Sequence, residues 1–293
     1  MMLDEGFHTV QTQSERHIHV NAYARLVTVS NTWETGNTTR TTQPALNGCY
    51  LVQVSEHYRK RLRESYSTVG DDMSKARGNS PWPPRGTPLT EEQILQLHEL
   101  AVCDEGKNNG IRLLRLKNSD VDFELMKEVI SDAKRLATEY PQLTSNPQAP
   151  FTIKVDYNVS DDVYAQIRAK DNGKNIITLN GIAFRNKAVL ENDYAKLADK
   201  GHFVRGTTYR AIIYHEVGEV LYQKLKISAF GIAAKTLGME TSDMVLFIEQ
   251  HISVYASILE NDLFSEVFAG AWTGVKNVEL LTLFREFAKL LMR

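Results

Sequence analysis

The chain has 293 residues, 42% of them apolar, with 34 Lys and Arg against 36 Asp and Glu. That is enough to bury a sizeable core, and the near-balanced charge gives no electrostatic footprint for nucleic acid or an anionic membrane surface. No apolar run approaches the roughly 18 residues of a spanning helix, and the opening MMLDEGFHTVQTQSERH lacks the basic start and apolar centre of a signal peptide, so a chain neither membrane-spanning nor exported by that route is expected.

Residues 1 to 88 read as an N-terminal region of less regular fold. Within it HIHVNAYARLVTVS at 17 to 30 alternates in part and predicts a strand. His17 and His19 would share one face of that strand, but no third ligand sits near them, and a metal role is not assigned. CYLVQV at 49 to 54 predicts a second strand, and SEHYRKRLRESY a basic amphipathic helix capped by Ser55. The two cysteines, Cys49 and Cys103, have no partner spacing, which excludes a cysteine-based zinc motif and fits a reducing compartment. RGNSPWPPRGTP at 77 to 88 concentrates residues that stop helix and strand, and a domain boundary is placed there.

The second domain, 89 to 293, begins with a capping box, Thr90 and Gln93, before ILQLHELAV. SDVDFELMKEVISDAKRLATEY predicts a helix ending at Pro141. FTIKVDY, VYAQIRA and NIITLN predict three strands, the last two joined by a turn at Asn172-Gly173, and so a small, partly antiparallel sheet. From Ala183 onward the pattern is helical: KAVLENDYAKLADK, TTYRAIIYHEVGEVLYQKLK, SDMVLFIEQHISVYASILE, DLFSEVFAGAWTG and VELLTLFREFAKLLMR. A sheet followed by helices predicts an α+β fold.

One stretch, IIYHEVGEVLYQK, carries candidate chemistry. On a helix over 208 to 226, capped by Thr207 or Thr208, His215 and Glu219 lie one turn apart on one side and can share an ion. The same sector holds Glu216, Gln223 and Lys226, so on this stretch alone an ordinary solvated face is the better reading of the spacing. Gly218 costs about 1 kcal/mol relative to Ala in mid-helix, which predicts that another segment packs closely there. Glu266, a lone acid between Leu263, Phe264, Val267 and Phe268, is either an exposed residue or a buried carboxylate compensated by a cation.

The order of segments from about 175 to 274 resembles the zincin metallopeptidase-like domains, of the gluzincin kind, of phage minor head and head-morphogenesis proteins. ITLNGIAF (177 to 184), GHFVRGTT (201 to 208), HEVGE (215 to 219), ISVYA (252 to 256) and FSEVFA (264 to 269) carry that resemblance. It implies a zincin-like domain in a protein of phage or prophage origin, located in host cytoplasm or virion. It implies Zn²⁺ held by His215, Glu219 and Glu266, with Glu216 as general base and Tyr255 supporting the site or a developing oxyanion. His251 is an alternative imidazole nearby. The chain departs from the family at Glu219, where the family has His. An extra carboxylate lowers the Lewis acidity of zinc and suits Mn²⁺, or a site that holds no metal. Two functions follow as expectations: metal-dependent hydrolysis of a protein substrate, or a catalytically inactive zincin-fold protein assembling with phage head or portal proteins.

Overall fold

The structure, a computed structural model, describes residues 33–35, 38–40, 42–44, 50–52, 85–102, 110–145, 150–160, 163–167 and 175–292. The strand expected at 17 to 30 with His17 and His19, the helix from Ser55, Cys49, Cys103 and the Asn172-Gly173 turn lie outside the described residues. Two short antiparallel ribbons occur in the N-terminal region: β1 (Trp33–Thr35) with β2 (Thr38–Arg40), and β3 (Thr42–Pro44) with β4 (Tyr50–Val52). The last of these falls inside the expected CYLVQV strand.

The remainder is mixed α and β. Helix α1 (Glu91–Ala101) starts on the expected capping box, with Thr90 Oγ1 accepting from the Gln93 N–H and Gln93 Oε1 from the Thr90 N–H. Strand β5 (Arg112–Leu114) follows, then α2 (Phe123–Glu139), capped by Asp122 and stopped before Pro141. Strands β6 (Thr152–Asp156), β7 (Ala165–Ile167) and β8 (Ile176–Asn180) complete a four-stranded sheet in the order β5-β6-β8-β7. β7 pairs antiparallel with β8, as the sequence predicts, while β5–β6 and β6–β8 are parallel. Strand β5 escapes sequence reading because three residues, RLL, inside a charged stretch are too few to show a period.

Six helices follow: α3 (Lys187–Asp199), α4 (Ala211–Lys224), α5 (Ala229–Leu237), α6 (Thr241–His251), α7 (Glu260–Trp272) and α8 (Val278–Leu291). Three differ from expectation. Helix α4 starts at Ala211 and ends at Lys224 instead of spanning 208 to 226, and neither Thr207 nor Thr208 caps it, the Thr207 hydroxyl donating to the Val204 carbonyl instead. The segment 242 to 260 is not one helix: α6 ends at His251, and the Val254 and Tyr255 N–H groups donate to the carbonyls of Gly201 and His202 instead of continuing an intrahelical ladder. Helix α5 is unforeseen because its residues are apolar nearly all round. It is fixed by a Ser228 cap that accepts from the Gly231 N–H and by Gly238 in the left-handed conformation at its end. No helix among the described residues is long and apolar enough to cross a membrane.

Three sets of contacts place α4. At its start, Asp132 of α2 takes a two-pronged bond from Arg210 and a 2.7 Å bond from the Tyr214 hydroxyl, so the first turn is bolted to α2. At its middle, Gly218 faces α7 so closely that a Cβ there would lie 2.9 Å from Ser265 Cα. This is the close packing that a mid-helix glycine predicts. Around it, the GHFVRGTT loop is tied to the ISVYA segment by the Gly201 and His202 carbonyls, and Phe203 stacks on Tyr194 at 4.9 Å and tilts against Tyr255 at 5.9 Å.

Candidate metal site

Helices α4 and α7 each present acidic or imidazole groups one turn apart, His215 and Glu219 on one, Asp262 and Glu266 on the other, with Gly218 and Ser265 at the point of contact between them. Removing the Cβ at that point brings the four polar side chains together. His215 Nε2 lies 3.7 Å from Glu219 Oε1. One ligand atom each from His215, Glu219 and Asp262 lie within 4.8 Å of one another, so these residues form a group able to hold a metal ion. Three donors bound at about 2.1 Å in tetrahedral directions lie about 3.4 Å apart, so binding an ion would draw the group inward by up to about 1.4 Å.

Glu266 sits on the other side of the imidazole. Its Oε1 is 2.9 Å from His215 Nδ1, and its Oε2 accepts from the Val204 N–H at 3.0 Å and from Ser253 Oγ at 3.2 Å. It therefore fixes the ring from behind, leaving Nε2 toward Glu219 and Asp262. A carboxylate on the remote nitrogen of an imidazole is the usual support for a metal-binding histidine. The structure thus brings His215 and Glu219 together as expected, places Glu266 in contact with His215 outside the three-residue group, and adds Asp262. The sequence does contain a signal for Asp262, because it precedes Glu266 by four residues and shares its helix face. The apolar neighbours of Glu266 draw attention to that residue and not to Asp262.

The electrostatics are those of a site short of positive charge. Burial pushes the His215 pKa down, but the carboxylates of Glu219 and Glu266 outweigh it and hold the imidazole well above its ordinary value. Burial, then the charge of Glu219, holds the Asp262 carboxyl well above the carboxylate range. The same two causes push Glu216 up to about 8. Glu216 Oε2 and Asp262 Oδ2 are buried and have no hydrogen-bond partner among the described residues. A bare buried carboxylate oxygen is costly unless something else meets it. A divalent ion at the His215–Glu219–Asp262 group would supply the missing charge, and the donor set fits one.

Two further expectations concern neighbouring residues. The Tyr255 ring centroid is 5.7 Å from that of His215, and its hydroxyl makes no hydrogen bond among the described residues. Burial, then the Asp262 charge, keeps that hydroxyl protonated and so a donor. His251 is exposed at the end of α6, stacked on Phe247 at 4.2 Å, and is not in the metal-holding group. The wet-face reading fits Gln223 on α4 and Lys226 just past its end, both exposed, but not Glu216, which is 7% exposed.

Comparison with protein-family models, curated proteins and solved structures gives no match to this chain.

Proposed function

We propose that the chain is a zincin-like, metal-dependent hydrolase acting on peptide bonds of a protein substrate. The observation that carries this reading is the convergence of His215, Glu219 and Asp262 beside the bare, buried carboxylate of Glu216. A divalent ion bound there would act as Lewis acid and acidify a water molecule. The protein's own residues supply the rest. Glu266 orients His215 through Nδ1. Glu216 offers a lone pair that no protein donor occupies, as a general base must. Tyr255 keeps a hydroxyl proton with which to stabilise negative charge developing on a carbonyl oxygen. The packed apolar surroundings of α4 and α7 strengthen each of these interactions. The motif order from 175 to 274 supports a phage origin and a protein of the head or portal as substrate or neighbour.

Glu219 favours a second reading, in which the zincin scaffold persists in a head-assembly protein without hydrolysis. A second carboxylate in the ligand group reduces the acidification of bound water.

Elemental analysis of protein purified without chelator separates these readings. Near-stoichiometric metal, lost in Asp262→Ala, is expected from the hydrolase. Loss of proteolysis in Glu216→Ala, with metal retained, would complete the assignment. Metal-free protein whose melting temperature ignores added Zn²⁺ and Mn²⁺ would sink it.

A further inference from the structure

The ligand that departs from the family, Glu219, has a partner chosen for it. Asn261, the residue before Asp262 on α7, donates its side-chain N–H to Glu219 Oε1 at 3.1 Å. This is the same oxygen that faces His215 Nε2 at 3.7 Å. An ion shared with His215 Nε2 would meet Glu219 at the oxygen that the amide already addresses. A carboxylate oxygen has two lone pairs and can take both. An imidazole nitrogen has one, so a histidine at 219 would have to give up either the ion or the Asn261 donor. The buried Asp262 Oδ2, which has no partner among the described residues, is a second and independent sign that a cation belongs in this group.

We infer that the Asn261–Glu219 pair makes this an oxygen-dominated site, with Glu219 as the residue that sets metal preference and Asn261 as its positioning residue. Two carboxylates and one imidazole suit harder dications of the Mn²⁺ class better than the nitrogen-rich zinc sets do. Any site of this type still tends to bind Zn²⁺ more tightly than Mn²⁺, so the inference concerns the size of the gap, which Glu219 narrows. It rests on the metal-binding reading given above and adds to it the identity of the preferred ion class.

The test is calorimetric titration of the full chain, stripped of metal, with MnCl₂ and separately with ZnCl₂. The proteins are wild type, Glu219→His, Glu219→Gln and Asn261→Ala, each checked for folding by circular dichroism. The ratio Kd(Mn)/Kd(Zn) is expected to be at least about tenfold smaller in wild type than in Glu219→His. Asn261→Ala should weaken Mn²⁺ binding by about tenfold, the usual effect of losing a ligand's outer partner. Its melting temperature without metal should change little, which a merely structural asparagine would not produce. Equal ratios in wild type and Glu219→His would overturn the inference while leaving the metal site standing. Should Glu219→His fail to fold, Mn²⁺ binding by Glu219→Gln as tight as wild type would overturn it instead. Failure of wild type to bind either ion would refute the underlying metal reading.

Discussion

Helix α7 carries two buried acids two residues apart, Glu260 and Asp262, and they are treated in opposite ways. Glu260 accepts from the Tyr222 hydroxyl at 2.8 Å, the Ser228 hydroxyl at 2.7 Å and the Ala229 N–H at 3.0 Å. Burial raises its pKa, and those three donors work against the rise. Asp262 leaves Oδ2 bare and faces Glu219, Glu216 and Glu266. Both side chains are almost wholly buried, at 4% and 3% exposure, so exposure does not explain the difference. Glu260 is a finished piece of scaffold that ties α7 to the start of α5. Asp262 belongs to a set of groups that the protein alone leaves incomplete. A buried acid whose donors are all in place holds a fold together, and one whose donors are missing marks where a ligand goes.

The largest expected effect lies on the finished side. Glu260→Ala strands the Ser228 O–H and the Ala229 N–H and leaves the Tyr222 hydroxyl only the Ile227 carbonyl, and should lower stability by about 3–5 kcal/mol in urea denaturation. Gly218→Ala comes next, because the new methyl meets a backbone atom, Ser265 Cα, that cannot turn aside. The gain in helix propensity of about 1 kcal/mol is outweighed by overpacking, leaving the variant about 1–2 kcal/mol less stable. The same shift of α4 against α7 should abolish any rise in melting temperature on adding Mn²⁺ or Zn²⁺. Asp262→Asn is the contrast. It removes a carboxylate without orphaning a protein donor, so the metal-free protein should keep its stability or gain up to about 1 kcal/mol, yet lose the response to added metal. A metal-free Asp262→Asn protein as damaged as Glu260→Ala would show that both acids are scaffold, and the comparison would fail.

These contrasts also show what could be read before the fold was known. The capping box at Thr90, the stop at Pro141 and the antiparallel pairing of β7 with β8 are written in short-range chemistry, and they appear where that chemistry places them. His215 and Glu219 were legible because one helix holds both. Gly218 foretold close packing, but not what would pack. The place of Asp262 beside His215 and Glu219 is not legible in the sequence because it depends on which turn of α7 faces which turn of α4, a register set by the Gly218–Ser265 contact across more than forty residues of chain. The break at Ile252 was hidden for a similar reason. The donors that would have continued the helix find carbonyls in the GHFVRGTT loop, and no local pattern announces that pairing. Tertiary partners override local propensity at both places.

Asp120 extends the comparison to a finished acid with a cationic partner, and its expected effect is the smallest. Its carboxylate accepts from the Tyr157 hydroxyl at 2.6 Å and the Gly86 N–H at 3.0 Å, and pairs with Arg185 at 3.0 Å. Burial raises its pKa, but Tyr157, Arg185 and the Gly86 amide outweigh that and hold it below the ordinary value. A carboxyl with a depressed folded-state pKa contributes stability that is present above its unfolded value, near 4, and is lost as the pH falls through the folded value. Asp120→Asn should therefore be less stable than wild type at neutral pH by about 1 kcal/mol or less. The gap should close as both are taken below about pH 4, where wild type loses the same charge. Denaturation midpoints measured from pH 7 to pH 3 read this directly. A gap that stays constant across the range would mean that the Asp120 charge contributes nothing, and that its hydrogen-bond geometry alone secures the entry of the chain at Gly86.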